Sequence, residues 1–243
     1  MGKNKLSKFA DMETFPNVFQ YTFETLKTKK FPLKGKWHNE YFKNDHPITL
    51  ELGCGKGEYT VELARMFPER NFIGIDLKGA RMWSGAQQSL QEKLSNVAFV
   101  RTGIEFIRHF FDENEVAEIW ITFPDPQMKK ANKRLTSTRF MEMYSHILHK
   151  KGAIHLKTDS PFLYTYTLAM IEENRLPILS NTADVYQTHT EDKCLQIQTF
   201  YEQQWRSRGL KIKYIQWQGE KNKQWIEPEI DIEKDDYRSF KRK

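Results

Sequence analysis

The chain has 243 residues, 39% of them apolar and 14% aromatic, which is enough for a core of its own and too much for a disordered or fibrous protein. Lysine and arginine outnumber aspartate and glutamate 38 to 32, a formal charge of +6 with a pI near 9.1, which favours a polyanionic partner. Two cysteines, Cys54 and Cys194, exclude a disulfide framework and a four-thiolate zinc site and point to a reducing, cytoplasmic setting. The N-terminus is punctuated by lysine with no apolar leader, and no stretch approaches the ~18 apolar residues of a membrane span.

In chain order, residues 1–45 form a basic, aromatic arm, with nine lysines against four acids up to residue 43. Phe9, Phe15, Phe19, Tyr21, Phe23, Trp37, Tyr41 and Phe42 interleave with the charges. Such an arm either packs on a domain or touches RNA, and packing is favoured because so many aromatics are costly to leave in water. Over 46–217 short apolar runs alternate with amphipathic segments, the pattern of parallel strands joined by crossover helices. Strands are predicted over 48–52, 72–76, 97–101, 117–123 and 152–158, with a final one over 212–217. Phe140, Met143, Tyr144, Ile147 and Leu148 fall on one helical face, and Ser160 followed by Pro161 opens a further helix running to about residue 174. Residues 218–243 form a charged tail, acidic from Glu227 to Asp236 and basic over 238–243, with no regular element predicted.

Where the first strand turns into the first helix the sequence reads E-x-G-x-G-x-G, with Glu51, Gly53, Gly55 and Gly57. Glycines there let the backbone approach a ligand and tolerate positive φ. A dinucleotide fingerprint requires G-x-G-x-x-G, and this spacing disfavours NAD. Glu51 and Asp76 both stand at the carboxyl edge of the expected sheet, where open α/β sheets bind ligands. Two carboxylates suit a cationic, hydroxyl-rich ligand, and S-adenosylmethionine fits: its sulfonium and ammonium are positive, and an acid ending the second strand can accept both ribose hydroxyls. The plain alternative is a tight strand-to-helix turn with two solvated acids. Cys54 is read as a small loop residue.

After the fourth strand comes Phe123-Pro124-Asp125-Pro126, followed by Lys129, Lys130, Lys133 and Arg134. Two prolines stiffen the backbone around a single acid, and residues 125–139 hold five cations against that one acid. With the glycine loop, this F-P-D-P segment, the Thr158-Asp159 pair and the late Thr199-Phe200-Tyr201-Glu202, the sequence resembles the bacterial tRNA (guanine-N7) methyltransferases over roughly residues 46–217. The resemblance implies a Rossmann-like α/β fold of the class I S-adenosylmethionine-dependent type: a mostly parallel seven-stranded sheet, its last strand antiparallel, with helices on both faces. It implies methyl transfer to N7 of a guanosine in the tRNA variable loop, at tRNA position 46. Glu51, Gly53, Gly55, Gly57, Asp76, Thr102 and Asp125 then belong to the cofactor site, and Asp125 is also the catalytic residue. Lys129, Asp159, Thr199, Phe200, Tyr201 and Glu202 match substrate-binding positions, and Lys130, Lys133 and Arg134 are taken as RNA contacts. The chain departs from the family at Thr102, where an aspartate is usual, and at Gln127, where a tryptophan is common. Thr199-x-x-Glu202 also reads as a helix capping box, and both roles stand.

Other chemistry is disfavoured. His146 and His149 have no nearby cysteine or carboxylate to complete a metal site and sit beside Lys150 and Lys151, so no metal is expected. No serine occupies a G-x-S-x-G elbow. The rival readings are a methyltransferase acting on another RNA or a small molecule, a non-catalytic RNA-binding protein on the same fold and, less well supported, a dehydrogenase. No oligomeric state is assigned.

Overall fold

The computed structural model describes residues 5–221 and 224–236; the basic end read at 238–243 lies outside them. The described residues fall into two compact units, one within Met1–Trp120 and His146–Gly152, the other within Ile121–Ser145 and Ala153–Lys243.

The first unit opens with α1 (Lys5–Thr14), β1 (Val18–Gln20), α2 (Phe23–Thr28) and a π-helical turn at Trp37–Phe42. The alternating elements follow: β2 (Ile48–Leu52), α3 (Glu58–Met66), β3 (Asn71–Asp76), α4 (Gly79–Gln91) and β4 (Val97–Arg101), with most of β5 (Val116–Thr122). Its strands run in the order β1-β4-β3-β2-β5. The β1–β4, β3–β4 and β2–β3 pairs are parallel, the last with Ile48 opposite Asn71 and Leu52 opposite Ile75. All five residues of β2 are buried, as expected of a strand covered on both faces.

The arm is woven into this unit. Val18 pairs with Phe99 and Gln20 with Arg101, so β1 is an eighth strand where seven were expected. Asn17 holds the entry by donating from Nδ2 to the Ala86 carbonyl at 3.1 Å and to Ser89 Oγ at 2.8 Å. Trp37 is wholly buried, stacks on Phe111 at 5.8 Å, meets Phe19 edge-on at 5.3 Å, and donates from Nε1 to the Phe110 carbonyl at 3.0 Å. On α1, Asp11 accepts a 2.8 Å bond from Trp83 of α4. The arm's aromatics thus build a core of edge-to-face and stacked rings.

The second unit holds most of α5 (Thr138–Ile147), the second half of β6 (Leu148–Thr158), α6 (Pro161–Glu173), β7 (Ile178–Thr182), α7 (Val185–Thr188), α8 (Phe200–Arg206) and β8 (Lys213–Gln218). Strand β8 is antiparallel to both β6 and β7, with Trp217 opposite Ile154 on one side and Ile178 on the other. Ser160 caps α6 by accepting from the Leu163 N–H at 2.9 Å, and Pro161 occupies the first turn, where its missing N–H costs nothing. With β7, unforeseen because its Ile178 and Leu179 are exposed and its pairing is bulged, the strands number eight among the described residues. The architecture is the mixed, largely parallel Rossmann-like α/β fold that was expected.

Trp37→Ala removes the centre of the arm's aromatic cluster, and its expected cost is about 3 to 5 kcal/mol in equilibrium urea unfolding. A loss below about 1 kcal/mol would show that the arm contributes little to the first unit.

Candidate functional site

In the first unit the chain runs from β2 outward through β3 to β4 and then crosses back to β5 on the other side of β2, so the winding reverses at β2, the place where open α/β sheets form a ligand crevice. The loop leaving β2 folds on itself: the Ile75 carbonyl accepts from Gly53 N at 2.8 Å and Cys54 N at 3.1 Å, and Gly57 N donates to the Cys54 carbonyl at 2.7 Å. Gly53 and Gly55 have φ of 78° and 57°, and a Cβ on Gly53 meets nothing within 4 Å. Open space therefore faces the loop, and left-handed backbone keeps it open. Gly57 is glycine for another reason, since a Cβ there stands 2.7 Å from the Phe99 ring.

Both predicted carboxylates hold this cradle. Asp76 Oδ2 accepts from Gly55 N at 2.9 Å and Oδ1 from Lys78 N at 2.7 Å, and a carboxylate has further lone pairs for a ligand. Glu51 is buried, and its Oε2 accepts from Thr60 N at 2.9 Å and from the Thr60 hydroxyl. The two acids converge on Cys54: burial pushes its thiol well up, and the charges of Glu51 and Asp76 push it further. Thr102, following β4, is 2% exposed, and its hydroxyl has no partner among the described residues. A buried donor left unpaired costs ~1 to 3 kcal/mol, so a cradle with open backbone, two acids and an orphan hydroxyl fits S-adenosylmethionine.

In the second unit the Pro-Asp-Pro segment is framed by two non-glycine residues in left-handed backbone, Phe123 at φ 49° and Gln127 at φ 47°. Each costs ~1 kcal/mol or more, strain of the kind that clusters at functional sites. Phe123 N donates to the Lys157 carbonyl at 2.8 Å, and Asp125 Oδ1 accepts from Gln127 N at 3.0 Å, leaving an exposed carboxylate on a stiff turn. Lys129, Lys130 and Lys133 are exposed. Arg134, grouped with them from the sequence, is not: its guanidinium lies 4.2 Å from the Tyr166 ring centroid and 4.8 Å from that of Phe162. It donates to the Gln127 and Met128 carbonyls at 3.3 Å, so this cation shapes the loop instead of facing phosphates.

Thr199 caps α8, accepting from Glu202 N at 3.2 Å, while the Glu202 carboxylate bonds back to the Thr199 backbone. The capping box is therefore real, and Glu202 is not a surface contact. It is fully buried against Lys157, itself fully buried, at 2.9 Å, and accepts from Tyr186 Oη at 2.7 Å. Lys157 also donates to the Leu195 and Ile197 carbonyls, each at 2.8 Å. Burial pushes the Lys157 ammonium down and the Glu202 carboxyl up, and their mutual attraction opposes both shifts. Phe200 is exposed and Tyr201 half-buried, so these two are the accessible side chains of the stretch. Asp159 is buried at 1% exposure, beside Lys213, whose ammonium donates to the Asp159 carbonyl at 3.2 Å. Lys157 and Tyr186 were not foreseen: a lysine inside a strand carries no signal until its carboxylate partner is known.

Among the described residues no helix is long and apolar enough to cross a membrane, and no group of three or more His, Cys, Asp or Glu is arranged to hold a metal ion.

Residues 45–215 match the family model described as "Putative methyltransferase", and with the cradle this places the protein in the class of S-adenosylmethionine-dependent methyltransferases. A solved structure described as an antibiotic-related methyltransferase superposes with a TM-score of 0.58 at 18% identity, covering 79% of this chain and 97% of that one, and shows the same fold. The tRNA (guanine-N(7)-)-methyltransferase of Bacteroides fragilis (strain YCH46) is 60% identical over 242 residues, covering 100% of this chain and 96% of that protein. That of Porphyromonas gingivalis (strain ATCC BAA-308 / W83) is 61% identical over 235 residues, covering 95% and 96%. The chain belongs to the tRNA (guanine-N(7)-)-methyltransferase family.

Glu202→Leu strands the Lys157 ammonium and is expected to cost about 3 to 5 kcal/mol in urea unfolding, whereas adding Lys157→Met should recover most of that loss. If the double variant is less stable than the single one, the ion pair is not what holds the segment to β6.

Proposed function

We propose that this protein transfers the methyl group of S-adenosylmethionine to N7 of a guanosine in the tRNA variable loop, at tRNA position 46, in the cytoplasm. The observation that carries the reading is the open glycine cradle flanked by Glu51 and Asp76, in a chain whose relatives over nearly their whole length are named tRNA (guanine-N(7)-)-methyltransferase. Bound there, the cofactor supplies a methyl group already activated on a positive sulfonium.

Guanine N7 carries an in-plane lone pair and needs no deprotonation, so the protein's residues need not supply a strong base. Their work is to hold the two reactants in line and to favour the positive charge that develops on the purine. Glu51, Asp76 and Thr102, with the backbone of Gly53, Gly55 and Gly57, hold the cofactor. Asp125 is assigned the guanine: an exposed carboxylate on a strained, proline-bounded turn accepts from N1–H and N2–H, selects guanine over adenine, and gains strength as the base becomes cationic. Asp159 is the poorer candidate for that contact because its residue is almost wholly buried. Lys129, Phe200 and Tyr201 are exposed enough to meet the nucleotide, and Lys130 and Lys133 its phosphates. Because N7 faces the deep major groove of an RNA helix, the target is reached in a loop or a loosened pairing.

Unmodified tRNA and labelled S-adenosylmethionine test the assignment, with N7-methylguanosine mapped by chemical strand cleavage; methylation of another atom or of another RNA class would reject it. Asp125→Ala is expected to lower kcat by about 100-fold or more with cofactor affinity within about threefold of the parent. Near-parental turnover in that variant would remove Asp125 from the chemistry. Replacing Lys129, Lys130 and Lys133 together with alanine should weaken tRNA binding and flatten the slope of log affinity against log salt by ~0.7 to 0.9 per lost contact. An unaltered slope would place the phosphates elsewhere.

A further inference from the structure

The segment 231–236 is hydrophilic apart from Ile232, yet its one buried side chain is a carboxylate, that of Asp235. A buried acid persists only with partners. One Asp235 oxygen accepts from the Ser160 hydroxyl and the other from Phe162 N at 3.0 Å, so the residue caps α6 from outside the helix. Its own N–H points at Met128 Sδ, 3.2 Å away, in the segment that follows Asp125. Upstream, Glu227 makes a similar tie: it accepts from the Tyr166 hydroxyl and from both the hydroxyl and the N–H of Thr138.

These ties meet at Arg134. Asp235 fixes Phe162 through its backbone and Glu227 fixes Tyr166 through its hydroxyl; the same two rings carry the Arg134 guanidinium, which holds the carbonyls of Gln127 and Met128. Residues 224–236 therefore reach the substrate loop twice, directly at Met128 and indirectly through two aromatic rings and one cation. We propose that this segment is a strap that fixes the loop presenting Asp125, and that Asp235 is a positioning residue for methyl transfer. The inference rests on the proposed function insofar as Asp125 serves that reaction.

The test compares full-length Asp235→Ala and Asp235→Asn with the parent, with kcat expressed per S-adenosylmethionine-binding site so that unfolded protein does not count. The alanine variant should lose about tenfold in kcat with cofactor affinity within about twofold, and the asparagine variant, which keeps one acceptor and the shape, should retain a larger share. Amide hydrogen exchange over residues 123–135 should quicken in the alanine variant. A purely structural cap lowers the melting temperature but leaves turnover per site and exchange in that loop unchanged, and this result would overturn the proposal. A parent protein that does not methylate guanosine N7 in tRNA removes the proposed function, while the exchange measurement still decides whether the strap holds the loop.

Discussion

A chain leaving the carboxyl end of a buried strand has to satisfy its own backbone while keeping atoms available for a ligand, and in each of the two units a loop answers that constraint with a carboxylate. After β2, the loop binds its N–H groups to the Ile75 carbonyl and to Asp76, an acid borrowed from the neighbouring strand. After β5, the turn closes on Asp125 itself, which accepts from Gln127 N, and on the Lys157 carbonyl of β6. The first solution uses glycine to reach left-handed backbone without strain; the second forces Phe123 and Gln127 into it. A strained turn of this kind is maintained only if the surroundings over-determine it, which is what Arg134, Met128 and the strap provide.

The cations of the second unit divide by burial. Lys157 and Arg134 lie inside, each holding backbone carbonyls, and removing either leaves acceptors unpaired in a poorly solvated place. Lys129, Lys130 and Lys133 stand in water, where their charge is screened by salt. A run that reads as one basic patch in sequence is thus two devices, one that builds the loop and one that faces outward.

Much of this was legible from the residues alone. Strands β2 and β4 coincide with the predicted 48–52 and 97–101, because short, mostly apolar runs closed by Gly53 and Thr102 admit few readings, and Ser160-Pro161 located the start of α6. The glycine loop and its two acids were found through spacing, which tests conformation and chemistry together. What escaped depended on distant partners. Strand β1 is three residues long and has no period of its own; only pairing with β4 makes it a strand. Arg134 looked like its lysine neighbours until the rings of Phe162 and Tyr166, a helix away, came to lie against it. Asp235 sits in an acidic stretch where nothing distinguishes the one carboxylate that turns inward.

The surroundings of Cys54 have a consequence for its ionisation. A thiol attacks electrophiles and peroxide as its thiolate, and this one lies buried between two anions that oppose its ionisation. Burial, and after it the charges of Glu51 and Asp76, therefore disfavour the thiolate at the heart of the glycine loop. The fold that buries this side chain thus does most to hold it as the neutral thiol, and the acids that shape the cradle add to the effect.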